Sequence, residues 1–287
     1  MPGHDSLRKH GWPDGHTGDG YYRRLEANFD WYSAEYDASI AGNIIEGYLR
    51  SVSTKTLESL FREGDRVLEV GCGTGIETIE MLKRGVHVHA VDISSRMIER
   101  LSRKAEEAGL GYMLSVSRGR ASGIASIGKD RGLFDGVVTT FGAFSSEPHI
   151  GDFISGAHAI LKPGGLLVAG FWNRFCLFEM LLYGMELRRR RLSERMRGLS
   201  TRGNCRFSLE TRSYSVHDFR RLTDGMFSTV MVKGLPVLSP PPDFARRLER
   251  WGGLLPLLLR LDERVNGLPI LNRLGDYLLV VARRKLN

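Results

Sequence analysis

The stretch Val67–Gly75 reads VLEVGCGTG, an apolar run fit for a buried strand followed by glycines at 71, 73 and 75. Glycine takes positive φ and lets a ligand lie directly against the backbone, at a cost in folding entropy that an ordinary turn does not demand. A strand that passes into a helix through such a loop suits any nucleotide-type ligand of a doubly wound sheet, which binds beyond the carboxyl ends of the strands. The spacing departs from the GxGxxG of dinucleotide binding, and Glu69 stands before the first glycine. An acid there favours a cationic ligand over a phosphate.

Outward from this loop the pattern alternates. Arg66–Val70 reads as a strand, residues 75–84 as a helix, 86–91 as a strand, and 94–108 as a helix with Ser94 as N-cap. Strands follow at 112–116 and 135–140, with a weakly helical stretch between them. Residues 149–161 are helical, and LKPGG closes that helix and turns into a strand at 166–171, because Pro163 cannot continue it. This alternation predicts an α/β fold with a doubly wound, Rossmann-like, mostly parallel sheet. Asp92 ends the second strand in HAVDIS, where a carboxylate can take both hydroxyls of a ribose.

Five segments are expected. Residues 1–20 carry five glycines, two prolines and three histidines, too few apolar groups to offset their ordering entropy, and read as a disordered arm. Residues 21–62 are helices that cap the site, with Leu25, Phe29, Tyr32 and Tyr36 on one face. Residues 63–172 form the cofactor-binding core. Residues 173–213 are too long for an ordinary connection and read as a lid insertion containing the run Arg188–Arg191. Residues 214–287 complete the sheet, with a helical insertion at about 240–274 that Pro256 and Pro269 interrupt.

The 287 residues, 42% hydrophobic and 26% charged, fall in the ordinary globular range. No apolar run reaches the roughly 18–20 residues of a membrane span, and the first residues lack the apolar stretch of a secretory signal, so a cytoplasmic location is expected. Cys72, Cys176 and Cys205 are far apart and odd in number, which suits reduced thiols and indicates no metal. The net charge of +8 suits an anionic partner without separating nucleic acid, lipid and small acids.

VLEVGCGTG, AVDIS followed by Met97, FDGVVTTFGAF and LKPGGLLVAGF together resemble the successive motifs of class I S-adenosylmethionine-dependent methyltransferases. The similarity runs in order over residues 21–171, and residues 277–284 resemble the family's last, antiparallel strand in a seven-stranded sheet. The resemblance implies S-adenosyl-L-methionine as cofactor and S-adenosyl-L-homocysteine as product. It implies that the loop Gly71, Cys72, Gly73 and Gly75 lies against the methionine part with Glu69 nearby. It further implies that Asp92 holds the ribose, that Ile93 and Met97 flank the adenine, and that the Thr140–Phe141 backbone faces the methionine amine. Many relatives carry an acid after the third strand that accepts from the adenine amino group, whereas this chain reads GRA at 119–121. Arginine cannot accept that bond, so either the backbone at Ala121 or Ser122 substitutes, or Arg120 points outward. Cys72 fills a slot where a small residue is common, which favours packing over nucleophilic chemistry.

Methyl transfer from a sulfonium mainly requires that the acceptor be oriented and water excluded. A base is needed only for a protonated nucleophile. Glu147, His149, Trp172, Asn173 and Tyr36 stand at the carboxyl edge, and His149 is the candidate base by its intrinsic pKa. The leading expectation is a small-molecule acceptor methylated on O, N or C. RNA is a lesser alternative, motivated by the arginines. A lipid-linked or quinone-like acceptor at a membrane surface is another, because FARRLERWGGLLPLLLRL has interfacial content. A non-catalytic cofactor-binding module is the third. Oligomeric state stays open.

Overall fold

The computed structural model describes residues 12, 17–129, 132–185, 195–202, 209–247 and 253–286. Seven strands form one sheet: β1 (Arg66–Val70), β2 (His87–Asp92), β3 (Leu114–Arg118), β4 (Phe134–Thr139), β5 (Leu161–Trp172), β8 (Phe227–Leu235) and β9 (Tyr277–Arg284). Their order is β3-β2-β1-β4-β5-β9-β8. The pairs among β1 to β5 are parallel, and β9 runs antiparallel to both β5 and β8. The expected sheet is therefore present, last strand included. Chain order reverses at β1, which pairs with β2 on one side and β4 on the other, and that reversal opens a crevice at the carboxyl ends.

Alternation along each strand builds two cores. Val67, Tyr277, Leu279 and Val281 join one apolar cluster with Ile45, Leu49, Leu82 and Leu101. Leu68, Val70, Leu278 and Val280 join the other with Phe144, Phe153, Phe171 and Phe219. The first cluster is covered by α3 (Ile44–Leu60), α4 (Ile76–Lys83) and α5 (Ser95–Glu107). The second is covered by α6 (Ile124–Lys129), α7 (Ala143–Ser146), α8 (Ile150–Ile160) and α10 (Val216–Leu222). Ser94 caps α5 by accepting from the Met97 amide, as its type and position predict, and Ser215 with Asp218 forms a capping box on α10.

Three sequence expectations are modified, and the first insertion is seen in part. LKPGG is drawn into β5: Phe134 pairs with Leu161 and Gly136 with Leu166, so the intervening residues form a bulge, with Gly164 at φ 76°. Trp12 does not follow the expected disordered arm. It is buried against Tyr21 with ring centroids 5.5 Å apart, in a cluster with Tyr22 and Leu25. The first insertion holds α9 (Leu177–Met185) and the two-stranded ladder of β6 (Leu199–Arg202) and β7 (Leu209–Arg212), and Arg195 within it is buried between Asp276 and Glu179. In the second insertion Pro256 does not interrupt a helix. It lies in the first turn of α11 (Leu254–Val265), where amides have no intrahelical acceptor to lose. The run Arg188–Arg191 and Trp251 lie outside the described residues.

Candidate functional site

A cleft opens where β1, β2 and β4 end, roofed by α1 (Asp19–Tyr32) and the start of α2 (Tyr36–Ala41). Gly71, Gly73, Asp92, Ile93, Met97, Ala121, Phe141 and Tyr36 all line it, eight of the residues that the sequence assigned to the site.

The three loop glycines all have positive φ, at 73°, 53° and 83°, but for different surroundings. A Cβ on Gly71 would stand 2.4 Å from the Ala143 Cβ, and one on Gly75 would stand 2.2 Å from a Leu101 methyl. These two glycines serve packing within the protein. A Cβ on Gly73 meets nothing nearer than the Tyr36 ring at 3.8 Å, so among the three this glycine lines the cleft without being required by packing. Cys72 is buried in the apolar core and its thiol is raised well above the ordinary range by that burial. Its side chain packs.

Asp92 holds the loop in place. One carboxylate oxygen accepts from the Gly73 amide at 2.9 Å and the other from the Ser94 amide at 2.9 Å. Burial raises its pKa, opposed by those amides. Glu69 does not line the cleft. It is buried beneath the loop, accepts from Thr78 Oγ1 at 2.5 Å, and burial pushes its carboxyl up to about 8.

Opposite the glycines, Phe141 sits at φ 49°, an uncommon backbone for a bulky residue. Its amide donates to the Tyr277 hydroxyl at 2.9 Å, and the two rings stack at 5.1 Å. The guanidinium of Arg50 lies 3.7 Å from the Phe141 ring centre. It also donates to Glu77 at 2.6 Å and to the Tyr36 hydroxyl at 2.6 Å. Sequence reasoning missed Arg50 and Glu77. The available signal was an arginine on the face of α3 that otherwise carries Ile45, Leu49 and Val52 into the core. Thr140 is buried behind Phe141 and does not reach the cleft.

At the other end, Arg120 is drawn to α1: it donates to Asp19 at 2.6 Å and lies 4.0 Å over the Tyr22 ring. The acid of this corner is Glu147, buried and lining the cleft. One of its oxygens accepts from the Tyr22 hydroxyl at 2.5 Å and the His149 amide at 2.8 Å, the other from the Ser122 amide at 3.0 Å. Ser122 itself does not line the cleft. His149, the expected base, is turned away from it. Its Nε2 lies 3.1 Å from the Thr17 carbonyl and its ring stacks on Tyr22, because Pro148 and the start of α8 carry it to the outer side of α1.

A doubly wound sheet with a glycine-lined, carboxylate-ended cleft at its reversal point defines a nucleotide-cofactor domain. Residues 67–165 match the family model described as a methyltransferase domain. The chain is 31% identical over 135 residues to the ubiquinone biosynthesis O-methyltransferase of Psychrobacter cryohalolentis, a match that covers 47% of this chain and 51% of that one. It is 33% identical over 110 residues to the erythromycin 3''-O-methyltransferase of Saccharopolyspora erythraea, covering 38% and 35%. The chain spans about half the length of the first of these relatives. Among solved structures, the magnesium protoporphyrin IX methyltransferase of Synechocystis PCC 6803 with bound SAH aligns with a TM-score of 0.56 at 15% identity, over 92% of this chain and 99% of that one. The [4+2]-cyclase SpnF aligns at 0.54 and 16% identity, over 82% and 81%. These likenesses concern the fold. Residues 67–165 are thus similar to the methyltransferase domain family, in line with the class I S-adenosylmethionine-dependent resemblance of the motifs. The site fits that family's cofactor, since the bare backbone at Gly73 and the carboxylate of Asp92 face one cleft.

Proposed function

We propose that this chain transfers a methyl group from S-adenosyl-L-methionine to a hydroxyl oxygen of a small molecule. The observation that carries the reading is Asp92, whose carboxylate ends β2 inside the cleft while gripping the Gly73 amide. In this reading Gly71 and Gly73 lie along the methionine part above Glu69, Asp92 takes the ribose hydroxyls, Ile93 and Met97 flank the adenine, and the backbone at Phe141 receives the methionine amine. When bound, the cofactor supplies a methyl group on a sulfonium, a leaving group that needs no protonation. The chain's own work is then to orient the acceptor and exclude water. Tyr22, Leu25 and Phe29 of α1 supply an apolar roof for that purpose. The named activities of the curated relatives, both O-methyl transfers, support oxygen as the target atom.

Calorimetric titration with S-adenosylhomocysteine, followed by labelled methyl transfer to a panel of phenols, catechols and sugar hydroxyls, tests this. Asp92→Ala should bind S-adenosylhomocysteine about 10- to 100-fold more weakly, as expected for hydrogen bonds to a charged group. Unchanged affinity in the folded variant removes Asp92 from the site.

A second reading, a lipid-linked or quinone-like acceptor met at a membrane surface, is favoured by one observation. Leu254, Leu257, Leu261, Leu268 and Ile270 are exposed in the second insertion, near the exposed Arg260 and Arg264. No helix among the described residues is long and apolar enough to cross a membrane, so such contact would be peripheral. Co-sedimentation with anionic vesicles that Leu257→Ser with Leu261→Ser abolishes would promote this reading.

A further inference from the structure

Resting on the cofactor reading above, we infer that Glu147 is the residue that recognises the adenine amino group in this chain. If Asp92 holds the ribose and the glycines the methionine part, the base must extend to the end of the cleft bounded by Ile93, Arg120, Ala121 and Glu147. A 6-amino group is a hydrogen-bond donor and needs an acceptor there. The Arg120 side chain has donors only, and its guanidinium is already engaged by Asp19 and the Tyr22 ring. The Ser122 amide, a donor, is taken by Glu147.

Among the side chains that bound this end of the cleft, Glu147 is the one with an acceptor, and a charged one. Its first oxygen has both lone pairs filled, by Tyr22 and by the His149 amide. Among the described residues the second accepts from Ser122 alone and keeps one lone pair. Those three bonds come from α1, from the turn after β3 and from the start of α8, so the carboxylate is fixed before any ligand arrives. The acid is thus supplied by the segment after β4, and the arginine after β3 is free to fasten α1.

The test compares S-adenosylhomocysteine with its 6-deamino (purine) analogue by calorimetry. Wild type should prefer the amino form by about 10- to 100-fold, the range for a hydrogen bond to a charged acceptor. Glu147→Gln, whose amide must share one oxygen among these donors, should shrink that preference to within about 3-fold. Arg120→Ser should retain the wild-type preference. Should Glu147→Gln lose its fold, Glu147→Asp, which withdraws the charge by one methylene, is read the same way. Equal binding of both ligands by wild type overturns the assignment, and so does a full preference persisting in a folded Glu147 variant. Failure of wild type to bind S-adenosylhomocysteine at all is a different result: it overturns the cofactor reading on which the assignment rests.

Discussion

Gly71 and Gly73 are two residues apart in one loop, yet the same change should fail differently at each. Gly71→Ala must displace Ala143, whose Cβ would be 2.4 Å away, so it should lower the melting temperature of the ligand-free protein. Gly73→Val has room against the protein but fills the cleft, so it should abolish S-adenosylhomocysteine binding while costing the fold chiefly its backbone strain at φ 53°. Thermal unfolding and titration of both variants separate the two effects. Glu69 offers a pH test. Its carboxyl titrates near 8 when folded, because burial disfavours the charge, against an ordinary 4.5. Between those values the folded state binds a proton that the unfolded state has released, so this group's contribution is full below about 4.5 and declines as pH rises toward 8. Glu69→Gln should therefore lose less stability than wild type between pH 5 and 8 in denaturant titrations. At this scale the sequence was informative where chemistry restricts the residue type. Asp92 and Gly73 could be found because a carboxylate and a bare backbone are hard to replace. Glu147 could be placed at the carboxyl edge, but its bonds to Tyr22 and Ser122, like that of Arg50 to Glu77, could not, since these partners lie 125, 25 and 27 residues away.

Among elements, α1 shows how a segment outside the sheet becomes part of the site. Tyr21 donates to the Ser146 carbonyl at 2.8 Å, Asp30 accepts from Ser94 Oγ at 2.6 Å, and Glu26 pairs with Arg118 at 2.8 Å. The helix is thereby tied to the end of β3, the turn after β2 and the end of α7. Its apolar stripe was legible from the spacing of Leu25 and Phe29, while the segments it would bridge were not, because no local pattern encodes them. The first insertion gives the converse lesson. Its sequence is a basic run with no marked member, yet Arg195 is 5% exposed and bonds to Asp276, itself 0% exposed. Removing one partner of such a pair leaves a buried charge uncompensated, so Arg195→Met should cost about 3–5 kcal/mol in equilibrium unfolding. A loss below about 1 kcal/mol would mean that the insertion hangs on the domain without bracing it. The expected cover over the cleft can be judged by hydrogen exchange at Leu177–Met185, where protection should rise on adding cofactor and acceptor.

For the molecule as a whole, the formal charge of +8 is the least specific observation and the easiest to decide. Phosphate contacts weaken with salt at a log-log slope of about −0.7 each for a single strand, so a small-molecule enzyme should show no steep slope with bulk RNA. A slope worth about four contacts, abolished by serine at Arg188–Arg191, would promote RNA as the acceptor. The sheet was legible as a class because its strands alternate with helices, and the antiparallel last strand came only through likeness to known motifs. One consequence lies in time and not in space. β9 is inserted between β5 and β8, and its first residue, Tyr277, holds the Phe141 amide across 136 residues of chain. During synthesis the glycine loop, Asp92 and Phe141 leave the ribosome long before Tyr277 is made. Until then the sheet stands open at β5 and the Phe141 amide lacks the Tyr277 hydroxyl that it donates to in the finished fold. A nascent chain can thus assemble the ribose end of its site early, but it completes the methionine end only when β9 has been threaded into place, a non-local step of the kind that slows folding.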